Sequence, residues 1–178
     1  MILSEAFSLS NDKISYFQEN GHVYVPGILT DTELEPYRFA IKKSSIEFQK
    51  NQKPIEERDT YGKAFLQMMN LWEQDEEVKK FTFAKRFAGI AAKLLGVDKV
   101  RLYHDQALFK EPGGGHTPWH QDQYYWPLDT DKTVTAWIPL QATPLELGPL
   151  EFSAGSHQIV EGRDLEIGDE SELLIQQK

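Results

Sequence analysis

The pattern of apolar and polar positions divides the chain into a helical first half and a strand-like second half. Ser10 to Asn20 is short and largely polar with Ile14 and Phe17 three apart, which predicts a small amphipathic helix ahead of Gly21. His22 to Pro26 alternates as a strand does. Thr30 with Glu33 makes a capping box, and Leu34, Tyr37, Ile41 and Phe48 keep helical spacing after it, so a helix is expected from about Asp31 to Phe48. Asn51 to Tyr61 is polar, contains Pro54, and reads as a connection. The apolar run Phe65 to Leu71 is too short for its type to be fixed by period.

The clearest helix is Ala84 to Leu95, where Phe87, Ile90, Ala91, Leu94 and Leu95 fall on one face and Gly96 supplies the left-handed stop. After it the period changes. Val100–Phe109, Trp119–Tyr125, Thr133–Leu140 and Leu150–Phe152 read as short strands, separated by Gly113-Gly114-Gly115, Pro127 and the stretch Pro144 to Pro149. Helices first and strands afterwards imply an α+β chain with an antiparallel sheet. There is no internal repeat.

Composition narrows the chemistry. The 178 residues contain no cysteine, which excludes disulfides, thiolate metal sites and a cysteine nucleophile. A formal net charge of −9 opposes a phosphate backbone, so nucleic acid is not expected as a partner. No apolar run has the length of a membrane span, and Met1-Ile2-Leu3-Ser4-Glu5 is acidic where a signal peptide is basic, so the expected location is cytoplasmic. From Gln141 onward eight acidic residues face two basic ones, and the stretch Asp164 to Glu172 reads as solvated surface.

Candidate chemistry centres on Trp119-His120-Gln121-Asp122-Gln123-Tyr124-Tyr125. In extended chain, residues i and i+2 share a face, so His120 and Asp122 project together and offer two metal ligands. Imidazole plus carboxylate is part of the facial ligand set of non-haem Fe(II) sites; the plainer alternative is a surface hydrogen-bonded pair. None of His22, His104, His116 and His157 is singled out as a third ligand: His116 would have to fold in with the glycine loop, His104 shares the strand parity of Gln106, and His157 would have to complete a different metal site. Gln106, Leu108 and Lys110 share strand parity, and Lys110 could set a cation beside an anionic ligand; Gln121 has the opposite parity to the ligand pair. The triple glycine lacks the lysine and helix start of a phosphate-binding loop and reads as a mobile hairpin loop able to cover a site.

Taken in order, Gln106-Ala107-Leu108-Phe109-Lys110-Glu111-Pro112, the glycine loop, Pro118-Trp119-His120-Gln121-Asp122, Thr135-Ala136-Trp137-Ile138-Pro139-Leu140, Gly148-Pro149-Leu150 and Gly155-Ser156-His157 carry a resemblance. So does the opening Gly21-His22-Val23-Tyr24-Val25-Pro26-Gly27. The chain resembles the phytanoyl-CoA dioxygenase family of Fe(II)/2-oxoglutarate-dependent oxygenases. The resemblance implies a double-stranded β-helix, the jelly-roll or cupin-like barrel, with N-terminal helices packed on its sheet. It also implies a single domain over 1–178, helical to about 98 and β-rich from about 99, incomplete at the C-terminus. His120 and Asp122 would ligate iron, and Gln106, Lys110, Gln121 and Trp137 would serve the 2-oxoglutarate site. The reaction implied is hydroxylation of a small organic substrate by O₂ with release of succinate and CO₂. The family's second metal histidine and its 2-oxoglutarate arginine do not occur before Lys178. That leaves a non-catalytic remnant or a cupin-like metal-binding module as the alternative, and an open sheet edge through which a homodimer could form.

Overall fold

Helix α1 (Asn11–Asn20) is bounded by its own sequence: the Ser10 hydroxyl accepts the Lys13 N–H at 3.4 Å, and Gly21, at φ +78°, donates its N–H to the Phe17 carbonyl at 2.8 Å. Helix α2 (Asp31–Gln49) starts on the expected capping box, the Glu33 N–H bonding Thr30 Oγ1 at 3.2 Å and the Thr30 N–H bonding Glu33 Oε2 at 2.9 Å. This computed structural model describes residues 3–177; Met1 and Ile2, where the N-terminal reading begins, and Lys178, where the single-domain reading ends, lie outside them. The remaining elements are α3 (Thr60–Ala64), β1 (Leu66–Met69), α4 (Glu76–Thr82), α5 (Lys85–Leu95), β2 (Gln106–Phe109) and α6 (Asp169–Gln176). Among the described residues no helix is long and apolar enough to cross a membrane.

Two compact units share the chain. One takes in the chain to Ser44, Asn70–Asp105 and Lys132–Ile159. In it, Leu3, Leu34, Tyr37, Phe81 and Ala84 form a core against which Phe87, Ile138 and Leu140 pack. A second cluster joins Leu9, Ile90 and Leu94 to Ile14, Phe17, Val23 and Val25, so the apolar stripes of α1 and α5 meet as their spacing requires. Arg86, on α5, lies 2.9 Å from Glu33 Oε1 and donates to the Ile28 carbonyl at 2.8 Å.

Gly21 in this unit has no room for a side chain. Its φ is left-handed, and a Cβ there would stand 2.4 Å from His157 Nδ1. Left-handed strain and overpacking together are expected to make Gly21→Ala about 2 to 4 kcal/mol less stable. Urea denaturation measures it, and a loss below about 0.5 kcal/mol would mean the His157 ring swings away freely.

The other unit comprises Ser45–Met69, Gln106–Asp131 and the chain from Val160. Its sheet is the antiparallel pair β1–β2, in register Leu66↔Phe109, Gln67↔Leu108, Met68↔Ala107 and Met69↔Gln106. Leu66 and Met68 are buried on one face, leaving Gln67, Met69, Gln106 and Leu108 on the other. The run Phe65–Leu71 thus supplies a strand.

Strand structure is narrower than the alternation predicts. Among the described residues it is confined to β1 and β2; His22–Pro26, Val100–Asp105, Thr133–Leu140 and Leu150–Phe152 lie outside any ladder, and Trp119–Tyr125 ends in a 3-10 turn over Asp122–Tyr125. The expected β-rich part from about 99 therefore holds one short strand among those residues. The alternation still has a structural meaning. Val23 and Val25 face one core cluster while Ile138 and Leu140 face the other, so period 2 selects the inward side chains of extended chain even where no second backbone supplies hydrogen bonds. Three helices, α3, α4 and α6, are additions to the expected set. The Asp75 carboxylate caps α4 on the N–H groups of Glu77 and Val78, at 2.8 and 3.1 Å.

Candidate metal centre

The ligand loop begins where β2 ends. Glu111, the second residue past the strand, is ion-paired with Arg58 and accepts from Gln49 Nε2 at 3.0 Å; its bond to Arg58 holds the carboxyl below the usual range despite partial burial. The glycine loop that follows is tied down rather than free. Gly114 donates to the Glu111 carbonyl at 3.0 Å and Gly115 to the Lys63 carbonyl at 3.2 Å, and a Cβ on Gly114 would meet Lys63 O at 2.9 Å. Lys110 Nζ donates to the Gly115 carbonyl at 2.9 Å and lies 4.7 Å from the centre of the Phe65 ring.

Pro118 is fully buried and orients what comes next. Its carbonyl lies 2.8 Å from His120 Nδ1 and can only accept, so Nδ1 carries a proton. Gln121 is extended at φ −116°, ψ 126°, and this single residue carries Asp122 to the same side as His120. His120 Nε2 and Asp122 Oδ1 stand 3.2 Å apart. The expected juxtaposition thus forms without the expected strand. Burial alone pushes the imidazole pKa down; hydrogen bonding to Asp122 and to the Pro118 carbonyl, with the Asp122 charge, reverse the direction and raise it.

The pair fits a metal. Two donors each about 2.1 Å from one ion and at right angles lie about 3.0 Å apart, close to the separation seen here. The carbonyl behind Nδ1 is the partner that orients a ligating imidazole. Among the described residues no group of three or more His, Asp or Glu side chains that could hold a metal ion gathers here.

The other candidate residues are placed differently. Gln106 is exposed on the β1–β2 face that also carries Gln67 and Met69, with Leu108 beside it. Gln121 turns its amide to the Glu161 carbonyl at 3.0 Å. Trp137 belongs to the other unit, where it is half-exposed with parity opposite to Ile138 and Leu140.

Tyr61 and Glu172 are not picked out by the sequence reading, and neither is the backbone partner of Tyr125. Burial raises the pKa of the Tyr61 hydroxyl, with smaller contributions from Tyr125 and Asp122. Tyr125 Oη accepts the Ile167 N–H at 2.9 Å. Glu172 Oε2 accepts the Trp119 N–H at 2.5 Å. The helix that carries Glu172 had a signal in Gly168 through Leu174, where acidic residues open a segment that turns apolar at Leu173 and Leu174.

Comparison with known proteins supplies the context. The family model for phytanoyl-CoA dioxygenase matches residues 17–172. A curated relative, the probable alpha-ketoglutarate-dependent hypophosphite dioxygenase of Stutzerimonas stutzeri, is 31% identical over 74 residues, covering 40% of this chain and 26% of the relative. The chain thus aligns with about a quarter of that relative's length. No solved structure matches.

Proposed function

The chain belongs to the phytanoyl-CoA dioxygenase family, and from that premise we propose that it serves as an Fe(II)- and 2-oxoglutarate-dependent oxygenase hydroxylating a small substrate. The observation that carries this reading is the convergence of His120 Nε2 and Asp122 Oδ1, 3.2 Å apart, inside the matched region. His120 and Asp122 would hold the iron. With iron and 2-oxoglutarate bound, the chemistry supplied is oxidation of a substrate C–H by O₂ to C–OH, balanced by conversion of 2-oxoglutarate to succinate and CO₂.

The chain's own residues prepare that site. The Pro118 carbonyl keeps the proton on Nδ1 and so frees Nε2 to donate its lone pair. Asp122 contributes the negative charge a divalent cation needs, and its exposed carboxylate leaves the approach open. Tyr124 and Tyr125, edge to face at 4.9 Å, continue from the ligands and with Trp126 offer aromatic wall to an organic substrate. Gln106, Lys110 and Gln121 are assigned to 2-oxoglutarate. Support for Gln106 is its place on the exposed β1–β2 face, and Lys110, the first residue past β2, would exchange its bond to the Gly115 carbonyl for the anion. The double-stranded β-helix is part of the same proposal, and the antiparallel β1–β2 pair leading into the ligand loop supports it.

The test is an anaerobic Fe(II) titration of the chain with and without 2-oxoglutarate. The expected result is a visible absorption band that needs both components, followed by succinate once O₂ is admitted. Hypophosphite, named in the relative's description, belongs in the substrate panel beside organic acids. One observation favours a second reading, a metal-binding module without turnover: among the described residues the pair has no third His, Asp or Glu donor. Metal binding with neither the band nor succinate would select that module and discard the oxygenase.

A further inference from the structure

The ligand loop gets its rigidity from an unexpected source. Trp119 to Asp122 lies outside any strand, so no sheet ladder holds His120 and Asp122 in place. Three hydrogen bonds do, and all come from the segment between Val160 and Gln176. Trp119 N–H, adjacent to His120, donates to Glu172 Oε2 at 2.5 Å. The Gln121 amide, between the two ligands, donates to the Glu161 carbonyl at 3.0 Å. Ile167 N–H donates to Tyr125 Oη at 2.9 Å, at the far end of the turn that Asp122 opens.

The segment making these bonds is itself fixed. Ser171 is fully buried and its hydroxyl bridges the Gly168 N–H at 3.2 Å and the Gly168 carbonyl at 2.9 Å, which locks the first turn of α6. Ile167 is buried beside it. The second oxygen of Glu172 accepts from Gln176 Nε2 at 2.5 Å, so the carboxylate is oriented before it meets the loop. Gly162 lies 3.9 Å, measured from a Cβ placed on it, from the Gln121 amide nitrogen and 3.8 Å from Leu174 Cδ2, which puts the Glu161 turn against both the loop and α6.

We propose that Val160–Gln176 is a strap that positions the two metal ligands, with Glu172 as its principal positioning residue acting through the Trp119 backbone. The proposal rests on the reading of His120 and Asp122 as a metal site and adds how that site keeps its geometry. What reads from composition as a solvated acidic surface is, in part, a device that substitutes for a sheet ladder. Glu172 does not touch the metal. It fixes the peptide from which His120 projects, and losses of such outer partners typically cost 10- to 100-fold in metal affinity.

Co(II) is the probe, read by its visible absorption on the full chain, with the amide exchange rate of Trp119 followed by NMR on the same samples. Glu172→Ala is expected to weaken Co(II) binding by about 10- to 100-fold and to speed Trp119 exchange by at least about tenfold, with far-ultraviolet circular dichroism unchanged. Glu172→Gln retains an acceptor oxygen and is expected to stay within about threefold of the parent in both readouts. Unchanged affinity and exchange in Glu172→Ala overturn the strap, and so does an equal loss in Glu172→Gln, because charge rather than the acceptor would then be at work. If Glu172→Ala does not fold, Tyr125→Phe removes only the acceptor for Ile167, and a several-fold loss of affinity supports the strap where no loss overturns it. If the parent chain binds no Co(II), the metal reading falls, while Trp119 exchange still decides whether the strap holds the loop.

Discussion

Replacing His120 with Ala is expected to lower Fe(II) or Co(II) affinity by at least about 100-fold, more than any change behind the ligands, because a donor atom is lost rather than loosened. The geometry gives the reason. Nε2 faces Asp122 Oδ1 across 3.2 Å, with Nδ1 anchored on Pro118, and no nearby His, Asp or Glu among the described residues takes over when the imidazole is gone. Asp122→Ala is expected to do the same. Gln123→Ala, which removes only a bond from Nε2 to the Trp126 carbonyl, is the control and should change affinity by less than about threefold. Isothermal titration under anaerobic conditions distinguishes these cases, and retention of parental affinity by His120→Ala would remove the pair from the metal site.

The largest stability loss is expected from Arg86→Met, in the other unit. Arg86 and Glu33 have side chains only 10% and 20% exposed, and Arg86 also caps the Ile28 carbonyl. Removing the cation leaves the Glu33 carboxylate with only its Thr30 bonds and the Ile28 carbonyl without this donor, a change bounded above by the cost of about 3 to 5 kcal/mol typical of a fully buried pair. The same pair sets a pH dependence. The Thr30 backbone N–H, and after it Arg86, hold the Glu33 carboxyl below its usual value. A depressed folded-state pKa gives stability that is present above the ordinary carboxylate value near about 4.3 and is lost as pH falls through the lower folded value. Arg86→Met should therefore lose stability at neutral pH and lose less on acidification than the parent. Denaturation curves at pH 7 and pH 3 check both parts, and a neutral-pH loss below about 1 kcal/mol would show that Glu33 finds water instead.

Local signals were legible in the sequence where a side chain and its own backbone decide the outcome. The Thr30–Glu33 capping box, the Ser10 start and Gly21 stop of α1, and the Gly96 stop of α5 all depend on bonds made within a few residues. The His120–Asp122 juxtaposition was legible for the same reason, since one extended residue between them is enough. Strands were not legible in the same way. Thr133–Leu140 alternates as well as β2 does, yet only β2 has a partner backbone, contributed by residues far away in sequence. The role of Glu172 was illegible because its partner, the Trp119 N–H, is a backbone group that no residue pattern announces.

The register of β1 and β2 has a consequence for the order of folding. Met69 pairs with Gln106, and the next residues inward, Asn70 and Asp105, are joined by a hydrogen bond of 3.0 Å, so everything from Asn70 to Asp105 leaves and returns at one point. Closing a flexible loop of that length costs roughly 3 kcal/mol in chain entropy, more than a four-residue ribbon readily offsets. α4 and α5 lie within that loop. The ribbon is thus expected to close late in folding, and the proposed ligand pair, carried on the chain after β2, to take its place with it.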